Sequence, residues 1–350
     1  RYGNQTWPTV AKSDSEILVT WSDYGQKDGI VQFFDLSLGY IGQQTNIATY
    51  YYSAVSTEGG DTDFSLFQNS SNGTLYHQGI SADGTSQARE EVKYTNTSEL
   101  KYEVITATNG KTWVVDSNNQ DVYLTQLING SSTDSIRVNF NLDGTQYRPS
   151  IIEIGDENLL VTWSTSKDDI WDRSPDNNLS GRFFSSEGNP LSLDILLAND
   201  VTSDVGGYDT ASYSISARET GGFSIYYADT TSSLKVKSFD SSGKVVQDAT
   251  VLAQNISSSS IKVLTLSDTQ DEVFYTINSQ LYSQIINVNS VPTGDLVISG
   301  EAAEDSTLTL SHSLSDNDGL GDFSYQWLRD DEAITNATGI TYQLASADIG

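Results

Sequence analysis

The stretch RPSIIEIGDENLLVTWSTSKDDIWDRSPDNNLSGRFFSSEG (Arg148–Gly188) carries one structural sentence. It runs through a Val/Ile-rich segment, a polar turn, an apolar segment holding a tryptophan, a polar loop and a third strand-like segment. WPTVAKSDSEILVTWSDYGQKDGIVQFFDLSLG (Trp7–Gly39) says it again. In its second segment Leu18, Thr20 and Ser22 alternate with Val19 and Trp21. That period of two marks a strand packed on at least one face.

Six copies align. First segments fall at 8–14, 53–59, 102–108, 149–155, 212–218 and 261–267, and each is followed across a turn by a second. Third segments open at Val31, Leu75, Val122, Leu179, Leu234 and Leu281, a mean period of about 50 residues. A weaker, more polar fourth segment follows most of them, as in 43–50 and 247–254. Four short strands per unit of this length is the arithmetic of a β-propeller blade, whereas an independent sandwich needs about 100 residues. The expected fold is therefore all-β, with residues 1–289 forming a β-propeller of about six blades, or seven if one lies outside this stretch. Trp21, Trp113 and Trp163 are large enough to wedge between neighbouring sheets. A linear β-array or a pair of sandwiches is the alternative.

Near Ser290 the pattern changes. Pro292 and Gly294 mark a linker, and 296–300, 306–314, 323–330 and 341–344 read as strands, with Trp327 as a core tryptophan. Residues 290–350 are expected to begin an immunoglobulin-like β-sandwich that this stretch leaves incomplete. The chain starts at Arg1, has no methionine and stops at Gly350, and it reads as a piece of a longer protein.

Composition narrows the partners. With 47 acidic and 18 basic residues the net charge is −29, which repels nucleic acid and anionic lipid. There is no cysteine, hence no disulfide and no thiol chemistry, and no apolar run long enough to insert into a membrane.

The segment from 292 onward, through PTGDLVISGEA, LSDNDGLGDFSYQWLRDDEAI and GITYQLASADIG, resembles the tandem bacterial Ig-like repeats of giant secreted surface proteins. The units before it, through PSIIEIGDENLLVTW with LSGRFFSSEGNPL and PTVAKSDSEILVTWSDYGQKDG with VQFFDLSLG, resemble those of large RTX-type adhesins and exoproteins. The resemblance implies export to the cell surface or medium, calcium-aided folding, and adhesion. The glycine-rich nonapeptide that names RTX proteins is absent.

Two stretches carry candidate sites. In Asp316-Asn317-Asp318-Gly319-Leu320-Gly321-Asp322, the side chains of Asp316, Asp318 and Asp322 are spaced to surround Ca²⁺, which takes about six to eight oxygens. The plain alternative is a solvated loop. In the longest loop between second and third segments, Trp171 and Asp172 could stack on a sugar ring and bond its hydroxyls, or cap a neighbouring blade. Catalysis looks poorly provided for. His77 and His312 are far apart, and no G-x-S-x-G or phosphate loop occurs. The chain is expected not to be an enzyme. The leading expectation is a fragment of a secreted or cell-surface bacterial adhesin whose propeller binds a glycan or a cell-surface protein. The alternatives are a structural subunit that packs against copies of itself in a surface layer, filament or matrix, and a propeller glycosidase.

Overall fold

A computed structural model describes residues 5–348 except 13–15, 24–27, 36, 38, 48–52, 58–63, 70–73, 81–87, 89, 95–100, 118–119, 129–130, 156, 167–176, 203–212, 219–220, 258–260, 279, 289–291 and 317–318. Among the described residues the structure is all-β apart from one short 3₁₀ turn, Ser346–Asp348. No described helix is long and apolar enough to cross a membrane.

Six antiparallel sheets follow one another along the chain. The first holds β1 (Gln5–Lys12), β2 (Glu16–Asp23), β3 (Asp28–Asp35) and β4 (Tyr40–Ile47). The second holds β5 (Ser53–Thr57), β6 (Phe64–Asn69), β7 (Thr74–Ile80) and β8 (Glu90–Tyr94). The third holds β9 (Lys101–Thr106), β10 (Thr112–Ser117) and β11 (Val122–Ile128). Its outer edge is reduced to the two-residue strands β12 (Ser131–Ser132) and β13 (Ile136–Arg137), in a polar segment. The fourth holds β14 (Thr145–Ile154), β15 (Asn158–Ser166), β16 (Asn177–Phe184) and β17 (Ile195–Val201). The fifth holds β18 (Tyr213–Ala217), β19 (Phe223–Ala228), β20 (Leu234–Phe239) and β21 (Val245–Ala253). The sixth holds β22 (Lys262–Ser267), β23 (Gln270–Ile277) and β24 (Gln280–Asn287). Each sheet is a meander in sequence order, so every repeat of the sequence is one sheet.

The alternation in the second strands now acquires a direction. In β15, Leu159, Val161 and Trp163 pack towards the third sheet, while Leu160 packs towards the fifth. In β19, Phe223, Ile225 and Tyr227 face the fourth sheet, and Tyr226 and Ala228 face the sixth. In β10, Trp113 and Val115 face the fourth sheet and Val114 the second. Five apolar clusters result, one between each consecutive pair of sheets. Each fully buried Leu, Val or Phe contributes about 1.5–3 kcal/mol. Trp113 and Trp163 are the expected wedges, both in the cluster between the third and fourth sheets, whereas Trp21 is only half-buried.

The first strands lie side by side in order: β1 by β5, β5 by β9, β9 by β14, β14 by β18, and β18 by β22. Side chains tie several together. Glu153 in β14 accepts from the N–H and hydroxyl of Thr108 just past β9, and Ser216 in β18 bonds Thr265 in β22 at 2.7 Å. Meander sheets stacked face to face, with their first strands forming one inner row, are a propeller-like arrangement.

Beyond residue 291 three of the four expected strands form and the remaining one is shortened. β25 (Leu296–Ser299), β26 (Thr307–His312) and β29 (Thr341–Gln343) form a three-stranded sheet, and β27 (Leu328–Arg329) pairs only with β28 (Glu332–Ala333). The long strand expected at 323–330 is shortened to its last residues. Asp330 and Asp331, both at positive φ (49° and 65°), make a tight two-residue turn there. Trp327 is half-buried, donates to the Gly339 carbonyl at 2.8 Å and stacks on Tyr342. It is not the centre of a two-sheet core among the described residues.

Candidate functional site

Strand direction alternates within each meander. The starts of all first strands therefore share one end with the loops that join second to third strands. Four polar residues occupy that end of the inner row: Glu103 in β9, Arg148 in β14, Tyr213 in β18 and Lys262 in β22.

Proline positions Arg148. Pro149 has no N–H to give to the ladder, and the pairing of β14 with β15 slips between Tyr147 and Ser150. The same break recurs in β1, between Thr6 and Thr9 around Pro8. At the slip Arg148 takes φ 51°, a left-handed conformation that costs a side-chain-bearing residue about 1–2 kcal/mol. The Tyr213 hydroxyl holds it by donating to the Arg148 carbonyl at 2.9 Å, and lies 3.1 Å from the Thr162 hydroxyl. Burial pushes the Tyr213 phenol far above its usual range, so it remains a neutral donor. The Arg148 guanidinium sits 5.6 Å from the centre of the Tyr147 ring, and its Nε is buried without a hydrogen-bond partner.

Glu103 accepts a hydrogen bond from the Ile151 N–H at 3.1 Å. It keeps contact with solvent, yet surrounding protein desolvates it enough to push its carboxyl above the usual carboxylate range. Ser150, the Ile151 N–H and the Lys262 ammonium pull it partly back. Lys262 belongs to the sixth sheet and Glu103 to the third.

The raised carboxyl gives a pH prediction. A group whose folded-state pKa is raised favours folding fully below its unfolded-state value, about 4.3, and loses that contribution as pH rises through the folded value. Glu103→Gln, which keeps an acceptor for Ile151, is expected to match the wild type near pH 4 and to gain stability on it at pH 8. Urea denaturation at the two pH values measures this, and an unchanged difference would remove Glu103 from a desolvated wall.

The expected site residues fare differently. Trp171 and Asp172 lie outside the described residues. Their loop leaves from Ser166, which pairs with Thr145 at the same end of β14 as Arg148. Asp318 also lies outside the described residues. Asp316 and Asp322 are described, and the Gly319 N–H donates to the Asp316 carbonyl at 3.2 Å. Among the described residues no three His, Cys, Asp or Glu side chains are grouped to hold a metal ion. His77 fills space beside the Phe67 ring. The inner cluster itself escaped the sequence reading, because its members stand in four different repeats. The doubled X-Pro slip, TWPT and YRPS, was the available signal.

No protein-family model matches the sequence, and no curated protein sequence is significantly similar to it. Solved structures do share the fold. The BP39L lectin from Burkholderia pseudomallei has a TM-score of 0.56 at 12% identity, over 78% of each chain. A protein of unknown function from Dyadobacter fermentans has a TM-score of 0.54 at 8% identity, over 82% of this chain and 95% of the other. An α-L-arabinofuranosidase from Fusarium graminearum has a TM-score of 0.51 at 8% identity, over 81% and 93%. At such identities the likeness is one of fold. It supports the propeller-like reading and lends nothing to the RTX-type or Ig-like one. It also corrects the expectation that the chain is not an enzyme. A fold shared with a lectin and with an arabinofuranosidase serves binding and catalysis alike, and does not decide between them.

Proposed function

We propose that this chain is a glycan-binding propeller whose six sheets are its blades and whose site is the end of the inner wall bearing Glu103, Tyr147, Arg148, Tyr213 and Lys262. The observation that carries the reading is the Arg148 guanidinium beside the half-buried Tyr147 ring, its buried Nε without a hydrogen-bond partner. An aromatic face that stacks on a sugar ring, beside donors and acceptors for its hydroxyls, is what recognition of a saccharide needs. The likeness to a lectin supports it. In the wider reading the chain is part of an exported bacterial adhesin, with residues 290–350 as an Ig-like extender and calcium near Asp316–Asp322.

A glycan array probed with the full chain, in calcium and again in chelator, tests this. Saturable binding is expected, weakened several-fold by Tyr147→Ala, since a ring contact is worth about 0.5–1.5 kcal/mol. Binding to no glycan in either condition would reject the reading and favour the self-packing structural role.

A second reading, glycoside hydrolysis at the same place, is favoured by Glu103, because a carboxyl held above its usual range by desolvation is suited to protonating a leaving oxygen. Turnover of chromogenic glycosides, abolished in Glu103→Gln, would select it.

A further inference from the structure

The chain as a whole is strongly acidic, but its inner row is not. The six first strands, β1, β5, β9, β14, β18 and β22, contain only two acidic residues, Glu103 and Glu153. They contain four basic ones, Lys12, Lys101, Arg148 and Lys262. The sign of the charge is thus reversed where the sheets converge, in a protein of net charge −29.

Both acids are engaged by protein. Glu153 accepts three hydrogen bonds from Thr108, and Glu103 takes the Ile151 N–H. The side chains of the two described cations, Arg148 and Lys262, make no hydrogen bond or ion pair with a described residue, although Lys262 acts on Glu103 through space, and the Arg148 Nε is buried as well. The other described arginines with buried or half-buried side chains are hydrogen-bonded. Arg182 donates to the Ser192 and Val138 carbonyls, Arg218 to Asp271, and Arg329 to Asp348. With 47 carboxylates available in the chain, a buried guanidinium Nε left without a partner behind a strained backbone is a donor held for something else.

We infer that the glycan taken by this wall is acidic: a sugar carboxylate, or a sulfate ester that carries the same charge and likewise offers two oxygens to a guanidinium, seats on Arg148 while Lys262 offers a second positive charge. The inference rests on the glycan-binding reading and names its ligand class. A guanidinium presents two parallel N–H groups to such an anion. The outer surface opposes an anionic ligand, but only over distance. At 0.15 M salt the screening length is about 8 Å, so the outer charges are muted while a contact pair is not.

The test is a glycan array at 0.15 M salt carrying uronate, sialylated and sulfated glycans beside their neutral counterparts, the uronates being matched by carboxyl-reduced forms. Titration calorimetry of the best acidic glycan and its neutral match then follows, with the full chain and with Arg148→Gln and Lys262→Gln. The acidic form is expected to bind the wild type about 10- to 100-fold more tightly, the range of a hydrogen-bonded charge. Arg148→Gln is expected to erase that preference while still binding the neutral form. Uronates bound and sulfated glycans not would identify a carboxylate, and the converse a sulfate. Equal affinity for acidic and neutral forms in the wild type would overturn the inference and leave glycan binding standing. A preference that survives in Arg148→Gln would overturn the role of Arg148. No binding to any glycan would overturn the glycan reading and this inference with it. The wild-type comparison needs no variant to fold, and Lys262→Gln changes only an exposed side chain.

Discussion

Asp271→Ala is expected to cost the fold roughly 3–5 kcal/mol, among the largest losses available from a single polar side chain. Asp271 is wholly buried, between the fifth and sixth sheets. Its carboxylate receives both ends of the Arg218 guanidinium, at 2.9 and 2.6 Å, together with the hydroxyls of Ser216 and Tyr226, each at 2.6 Å. Arg218 is itself 4% exposed and also donates to Ser224 and Ser216. Two charges without water repay their desolvation only while every donor and acceptor is met. Alanine removes one of the charges and strands the other. The double variant Arg218→Met with Asp271→Leu is expected to recover most of the loss, since apolar residues of similar volume carry no desolvation cost. Urea denaturation of the two single variants and the double yields the coupling directly. A loss below about 1 kcal/mol for Asp271→Ala would place the pair in wet surroundings, where ion pairs contribute little.

That pair also marks the limit of what the sequence discloses. Strand positions were legible because they are written locally and six times over. The openings at Val122 and Leu234 are the first residues of β11 and β20, and the second segments match β2, β6, β10, β15, β19 and β23 to within two residues at either end. The repeat spacing fixes the meander, and apolar residues on both faces of the second strands fix the stacking of sheets. Nothing local links Arg218 to Asp271, 53 residues apart in different repeats. The inner wall is hidden in the same way. Glu103, Arg148, Tyr213 and Lys262 are unremarkable within their own repeats and become a set only when the first strands converge. Conversely, the eye is drawn to Trp171, which stands in a loop conspicuous for its length, and to the Asp316–Asp322 run, conspicuous for its composition. Trp171 and part of the Asp316–Asp322 run lie outside the described residues.

Trp113 offers the second large effect, and one with an internal control. It is 1% exposed and sits in the cluster with Ile151, Leu159, Val161, Trp163 and Phe184, where the third sheet meets the fourth. Trp113→Ala is expected to cost about 3–5 kcal/mol through lost burial and the cavity left behind. Trp113→Phe should be far milder. The indole Nε1 is buried without a partner, an arrangement that costs roughly 1–3 kcal/mol, and phenylalanine removes that cost while leaving a smaller void. The variant is expected within about 1 kcal/mol of the wild type. Gly188 supplies the control. It lies in the turn after β16 at φ 80°, and a Cβ there would meet Cη2 of Trp113 at 2.6 Å. Gly188→Ala therefore carries two costs, a backbone one of about 1–2 kcal/mol and a collision with the indole. Phenylalanine lacks the Cη2 atom, so only the backbone cost should remain in the double variant. Thermal and urea unfolding of Trp113→Phe, Gly188→Ala and the pair would then give a positive coupling. Strict additivity would mean that the turn and the tryptophan do not touch, and that the third and fourth sheets are held together by something else.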